Sequence, residues 1–181
     1  EQFMADELSS DADRIILLGT PDAVKAFGES LPDQLQERVV AKLPAPSNDE
    51  MSARDWYPLV EDAIHEAEAE HERELLDKVR ERGSWGVDEV LGLINNSQVD
   101  VLVLPWHVGQ SVWFAQENVA VATESAALET LHPGDTFVEV KLKDVLSRLA
   151  SRHSIRVEFV EADRADRLRD EFAGIAALRR W

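Results

Sequence analysis

Apolar residues fall along this chain in short continuous runs and in helix-spaced stripes, and the two patterns alternate. Arg14-Ile15-Ile16-Leu17-Leu18 is a run with β-branched content, which predicts a strand buried on both faces. Thr20 offers an N-cap with Pro21 at the first helical position, so a helix is expected through Val24 and Phe27, stopping near Gly28. A short helix over residues 31–36 and a strand over 38–43 follow. Upstream, Phe3, Met4 and Leu8 share one side of a helix end expected over residues 2–10.

Pro44-Ala45-Pro46-Ser47-Asn48-Asp49 breaks the pattern, because each proline biases the residue before it away from helix and the polar residues suit a turn. The domain border is placed there, dividing residues 1–48 from 49–181. Beyond it, Trp56, Leu59/Val60, Ala63/Ile64, Ala67, His71, Leu75 and Val79 recur at helical spacing and predict one long helix from Ser52 to Gly83. A shorter helix is expected over residues 87–95. Val99-Asp100-Val101-Leu102-Val103-Leu104 predicts a strand that Pro105 ends.

Residues 106–140 read less simply. Val112–Ala115 and Asn118–Ala122 fit short strands and fit an irregular excursion equally well, and His132-Pro133-Gly134-Asp135 is a turn. Then come a helix carrying Leu142, Val145, Leu146 and Leu149, an alternating strand over 155–160, a helix over 165–172 closed at Gly174, and a last strand over 175–181. Strands alternating with helices imply a sheet covered on both faces, an α/β/α sandwich.

Composition narrows the function. Asp and Glu number 36 against 19 Lys and Arg, a formal net charge of −17. Such a field repels phosphate backbones, so direct nucleic-acid binding by this chain is not expected. Cysteine is absent, which excludes a disulfide framework and thiolate metal sites. No apolar run nears the roughly 20 residues that span a bilayer, and residues 1–7 lack the basic start and apolar stretch of a secretory signal. A cytoplasmic location follows by elimination. The chain begins with Glu1 in what reads as the middle of something, so a fragment of a longer protein is expected.

Candidate chemistry is sparse. His65 and His71 are six residues apart, about 600° of helical rotation, and so lie on different faces. No glycine-rich phosphate loop and no G-x-S-x-G is present. No catalytic residue, metal ligand or cofactor is assigned. The loop Trp106-His107-Val108-Gly109-Gln110 follows a strand end, where α/β sheets place their sites. Two readings of it stand. In one, Trp106, His107, Gln110 and Trp113 form a partner-docking patch, since tryptophan is favoured at interaction hot spots. In the other, His107 serves a small-molecule-binding or hydrolytic enzyme, with Ser111 or an acidic residue as its partner. Of the remaining tryptophans, Trp56 and Trp181 are assigned to the core.

Two segments carry a resemblance. Asp13-Arg14-Ile15-Ile16-Leu17-Leu18-Gly19-Thr20-Pro21, Phe27, Leu31 and Val39-Val40 resemble the closing strand–helix–strand of the middle domain of class-one peptide release factors and Pelota. Further on, Glu74-Leu75-Leu76, Gly86-Val87-Asp88-Glu89-Val90-Leu91 and Val99–Leu104 resemble the first half of their third domain, and Gly174-Ile175-Ala176-Ala177-Leu178-Arg179-Arg180-Trp181 is similar to its ending. The nearest branch is that of bacterial homologues, including Balon-like ribosome-hibernation factors. The resemblance implies the tail of an RNase-H-like middle domain followed by an L7Ae/Pelota-type third domain. It also implies a parent protein that meets the ribosome and a translational GTPase, elongation factor Tu in bacteria. The peptide-releasing Gly-Gly-Gln loop belongs upstream of these segments, and Val108-Gly109-Gln110 is not that motif.

Overall fold

A computed structural model describes residues 14–45 and 52–180. The chain divides into two compact units, Glu1–Glu70 and His71–Trp181. The helix expected over residues 2–10, most of the proline-containing border and Trp181 lie outside the described residues.

In the first unit β1 (Ile15–Gly19) and β2 (Val39–Pro44) pair in parallel. They are joined through α1 (Pro21–Ser30) and a single turn, α2 (Asp33–Gln36). Thr20 caps α1 as expected, its hydroxyl accepting from the Ala23 N–H at 3.4 Å, and Pro21 opens the helix. The helix runs past Gly28 to Ser30. Gly28 is a packing position: a Cβ there would come within 3.2 Å of the Lys42 side chain. Ile15, Leu17, Val24 and Leu35 make this unit's small core.

Helix α3 (Ala53–Arg82) is continuous for 30 residues, and the break between the units falls within it, at Glu70/His71. Trp56 is half-buried rather than core. The helix ends where the stripe predicts, and Gly83 is required there. A Cβ on it would sit 2.7 Å from the Val79 carbonyl oxygen and 2.8 Å from that of Ala177. Gly83 also begins β3 (Gly83–Trp85), a strand too short to show in the apolar pattern.

The second unit is an α/β/α sandwich. Its remaining elements are α4 (Val87–Asn95), β4 (Val99–Pro105), β5 (Ser111–Ala115), β6 (Ala120–Ala122), α5 (Ser125–Leu131), β7 (Phe137–Lys141), α6 (Leu142–His153), β8 (Arg156–Val160), α7 (Ala162–Phe172) and β9 (Ala176–Arg179). The main sheet has the order β3-β9-β4-β8, with β4 parallel to β8 and β9 antiparallel to both β3 and β4. The segment 106–140 is no irregular excursion: β6-β5-β7 form a second, antiparallel sheet with α5 attached.

Strand β4 sorts the core into two layers. Val101 and Val103 join Leu75, Leu76 and Val79 of α3, Leu168 and Phe172 of α7, and Ala176 and Leu178 of β9. Leu102 and Leu104 face the other way, against α4, α6, Ala177 and the second sheet. A strand buried on both faces reads as an unbroken apolar run because alternate side chains enter different layers.

The helix ends of this unit are unusual. Ser97, Ser154 and Ala173 hold φ values of 57°, 54° and 55°, the left-handed region that favours glycine. After α4, Ser97 N–H bonds to Ile94 O and Gln98 N–H to Leu93 O, the paired contacts of a Schellman ending. At the other end of α7, Glu72 of α3 accepts from the Glu161 N–H at 2.9 Å and from Arg164 Nε at 3.0 Å. That carboxylate therefore both caps the α7 N-terminus and pairs with a guanidinium.

Two stability outcomes follow from these ends. Ala173→Gly, which removes only a methyl group from a left-handed position, should raise stability by about 0.5–1 kcal/mol. Glu72→Ala takes the acceptor from the Glu161 N–H and leaves Arg164 with Asp163 as its remaining carboxylate partner, and should cost about 1–3 kcal/mol, given side-chain exposures of 16% and 13% for Arg164 and Glu72. Urea unfolding with an unchanged slope checks both.

Candidate functional site

The candidate site lies beyond the carboxyl ends of the parallel pair β4 and β8. Pro105 ends β4, and the Trp106 N–H donates to Val160 O at 3.1 Å, so the chain leaves the sheet with its last ladder bond made. The Trp106 indole is 59% exposed and meets the Phe159 ring edge-on, centroids 5.4 Å apart. His107 is exposed and makes no hydrogen bond or ion pair among the described residues. Val108 turns back into the core and pins the loop. Gln110 is exposed; its side-chain amide donates to Ser111 O at 2.8 Å and its backbone carbonyl accepts from Leu142 N–H at 2.9 Å.

Trp106, His107 and Gln110 thus share one exposed loop held at both ends. Trp113 stands in β5, half-buried against Ala115, Ala120, Ala122 and Leu128. Its area goes into the second sheet's own packing.

Beside the loop, the Lys141 ammonium donates to Gly109 O at 3.1 Å and to Ser111 Oγ at 2.8 Å. A serine–lysine pair serves as nucleophile and base where the lysine is buried. Lys141 is exposed and its ammonium also holds a backbone carbonyl, so the contact positions the loop on β7. Among the described residues no three His, Asp or Glu side chains gather as a metal site.

Sequence reasoning missed the most constrained polar group in this unit. His153, at the end of α6, is 8% exposed. Its Nδ1 is 2.9 Å from Ser97 Oγ and its Nε2 3.2 Å from Val119 O. A carbonyl only accepts, so Nε2 carries a proton and donates to Val119 O, while Nδ1 shares its hydrogen bond with the Ser97 hydroxyl. Both contacted residues have positive φ, 57° and 54°, so the imidazole holds two strained turns, one after α4 and one between β5 and β6. Its position four residues after Leu149 in the α6 stripe was the available signal. Asn95 does similar work, donating to Val121 O at 2.8 Å and accepting from Val121 N–H at 2.9 Å, which satisfies the outer edge of β6 with a side-chain amide.

The β5–β6 turn is also gripped by Asp135, whose carboxylate accepts from the Glu117, Asn118 and Thr136 N–H groups and from the Asn118 amide. Desolvation pushes this carboxyl up, but the four hydrogen bonds together outweigh it and hold it below the ordinary 3.8. A depressed folded-state value stabilises above 3.8 and the contribution is lost as pH falls through the lower folded value. Asp135→Asn should therefore loosen the turn at neutral pH and differ progressively less from the parent below pH 3.8. Amide exchange at Glu117 and Asn118, followed against pH, reads this out.

Residues 3–69 match the model of bacterial archaeo-eukaryotic release factor family 10. That range nearly coincides with the first unit, and it supports the resemblance to release factors and Pelota drawn from the residues. Among curated proteins nothing matches. Solved structures similar to the chain include Archaeoglobus fulgidus Pelota, at 18% identity over 99% of this chain and 52% of that one, TM-score 0.44. The C-terminal domain of the Methanosarcina mazei peptide chain release factor is 19% identical over 73% of this chain and 97% of its own, TM-score 0.46. A Saccharomyces cerevisiae translation termination-like factor is 12% identical over 99% of this chain and 51% of its own, TM-score 0.47. The chain spans about half the length of the Pelota chain it matches, 52%.

Proposed function

We propose that this chain is the C-terminal portion of a bacterial release-factor-like translation factor that works on the ribosome in the cytoplasm, in hibernation, rescue or release. On this reading residues 1–48 are the tail of an RNase-H-like middle domain and residues 49–181 a Pelota-type third domain. The second unit docks a translational GTPase, elongation factor Tu, through the loop that carries Trp106, His107 and Gln110. It does so without a cofactor or a catalytic residue of its own.

The observation that carries the reading is the match of residues 3–69 to the bacterial release-factor family. The loop supports the docking role. An indole exposed to 59% on a loop pinned by Val108 is a rigid apolar projection, and such aromatic residues anchor protein interfaces at little cost in conformational entropy. No described helix is long and apolar enough to cross a membrane.

The test is retention of purified elongation factor Tu and of 70S ribosomes by the immobilised chain and by its full-length parent. Trp106→Ala should weaken GTPase retention by about tenfold or more, the loss expected of an interface anchor, while leaving the circular dichroism spectrum unchanged. Retention of neither partner by the parent would sink the proposal.

A further inference from the structure

The outer edge of the main sheet is open along β8. Since Val160 O takes the Trp106 N–H, parallel geometry turns the backbone groups of Arg156, Glu158 and Val160 toward β4. Val157 and Phe159 therefore direct their N–H and C=O groups outward. Among the described residues neither another strand nor a side chain takes them. Two other edges differ: β3 is three residues long, and β6 is satisfied by Asn95.

The side chains flanking that edge are charged and of opposite sign. Arg156 and Glu158 lie two apart and so on one face of the sheet, with side-chain exposures of 68% and 30%. Their charges lie within reach of each other, Arg156 Nε 3.7 Å from Glu158 Oε1, and His71 Nε2 of α3 is 3.9 Å from Glu158. Charges at an edge ordinarily turn foreign strands away.

We propose that β8 pairs antiparallel with β8 of a second copy of this chain, centred on Val157, so that the two main sheets join into one across a two-fold axis. In that register Val157 exchanges both backbone hydrogen bonds with its own counterpart. Arg156 then stands opposite Glu158 of the second copy, and Glu158 opposite its Arg156. Both pairs occupy non-hydrogen-bonded positions, where Cα atoms are about 4.5 Å apart and side chains come closest. Sliding the strands to put Val157 opposite Phe159 places Glu158 against Glu158, two carboxylates face to face, so charge selects the first register. A two-fold contact needs a self-complementary patch, and Arg156-Val157-Glu158 is one. The formal −17 on each chain opposes association. With a Debye length of about 8 Å at physiological salt, that repulsion is screened between distant groups and little diminished between adjacent pairs.

Sedimentation velocity on the 181-residue chain at physiological ionic strength tests this. Loading from about 1 μM to about 1 mM should show a reversible shift from monomer to dimer. Arg156→Glu should weaken the dimer by about tenfold or more, since it sets two like-charged pairs across the axis. The double variant Arg156→Glu/Glu158→Arg, which restores opposite charges, should recover it. In the unaltered chain the amides of Val157 and Phe159 should exchange more slowly as concentration rises. A chain that stays monomeric at the highest loading, or a dimer indifferent to Arg156→Glu, or a folded double variant that stays monomeric, overturns the proposal. If the double variant fails to fold, the exchange measurement decides, and concentration-independent exchange at both amides rejects the pairing.

Discussion

The second unit depends on one strand being apolar on both sides. Val101, Leu102, Val103 and Leu104 are each at most 1% exposed, and they divide strictly between two helix layers. Each fully buried aliphatic side chain in this run contributes roughly 1.5–3 kcal/mol of burial free energy. The strand also decides where function is available. Pro105 cannot extend the ladder, so the chain leaves the sheet at its carboxyl end and lays out the Trp106–Gln110 loop over the ends of β4 and β8.

Elements with a strong period were legible in the sequence. The stripe from Trp56 to Val79, the run 99–104 and the Leu142–Leu149 face all gave helices and strands close to the expected bounds. The Thr20–Pro21 start of α1 was legible because it rests on local chemistry. What escaped was held by partners distant in sequence. β3 and β7 carry little pattern of their own, and exist because β9 and β5 offer them a ladder. Trp113 looked like a candidate for exposure, yet β5 lies in the middle of a sheet, between β6 and the weakly patterned β7. His153 was overlooked because its meaning lies in Ser97 and Val119, 56 and 34 residues away. At the site, the position of the loop was legible and its rigidity was not, since Val108 and Lys141 are what fix it.

Charge is distributed unevenly between the units. The first holds 17 acidic and 5 basic residues, the second 19 and 14. Much of the second unit's charge is consumed internally: Arg164 with Glu72, Arg167 with Asp77 and Glu171, Arg179 with Glu89, and Arg180 on the carbonyls that end α6. Repulsion of a phosphate backbone by acidic charge is therefore strongest at the first unit. In the second, the shape and apolar character of the exposed loop decide more than its field does.

The position of β9 has a consequence for how the sandwich assembles. It lies between β3 and β4, although about 90 residues separate it from β3 along the chain. A polypeptide emerging in order can join β4 to β8 as soon as both exist, but β3 must wait beside an empty slot until residues 176–179 arrive to fill it. Such late, non-local insertion is slow, because loop closure precedes any gain from contacts. Synthesis interrupted before Ala176 would release a chain with two facing strand edges and the apolar residues that β9 covers exposed to water, the kind of surface that chaperones and proteases recognise.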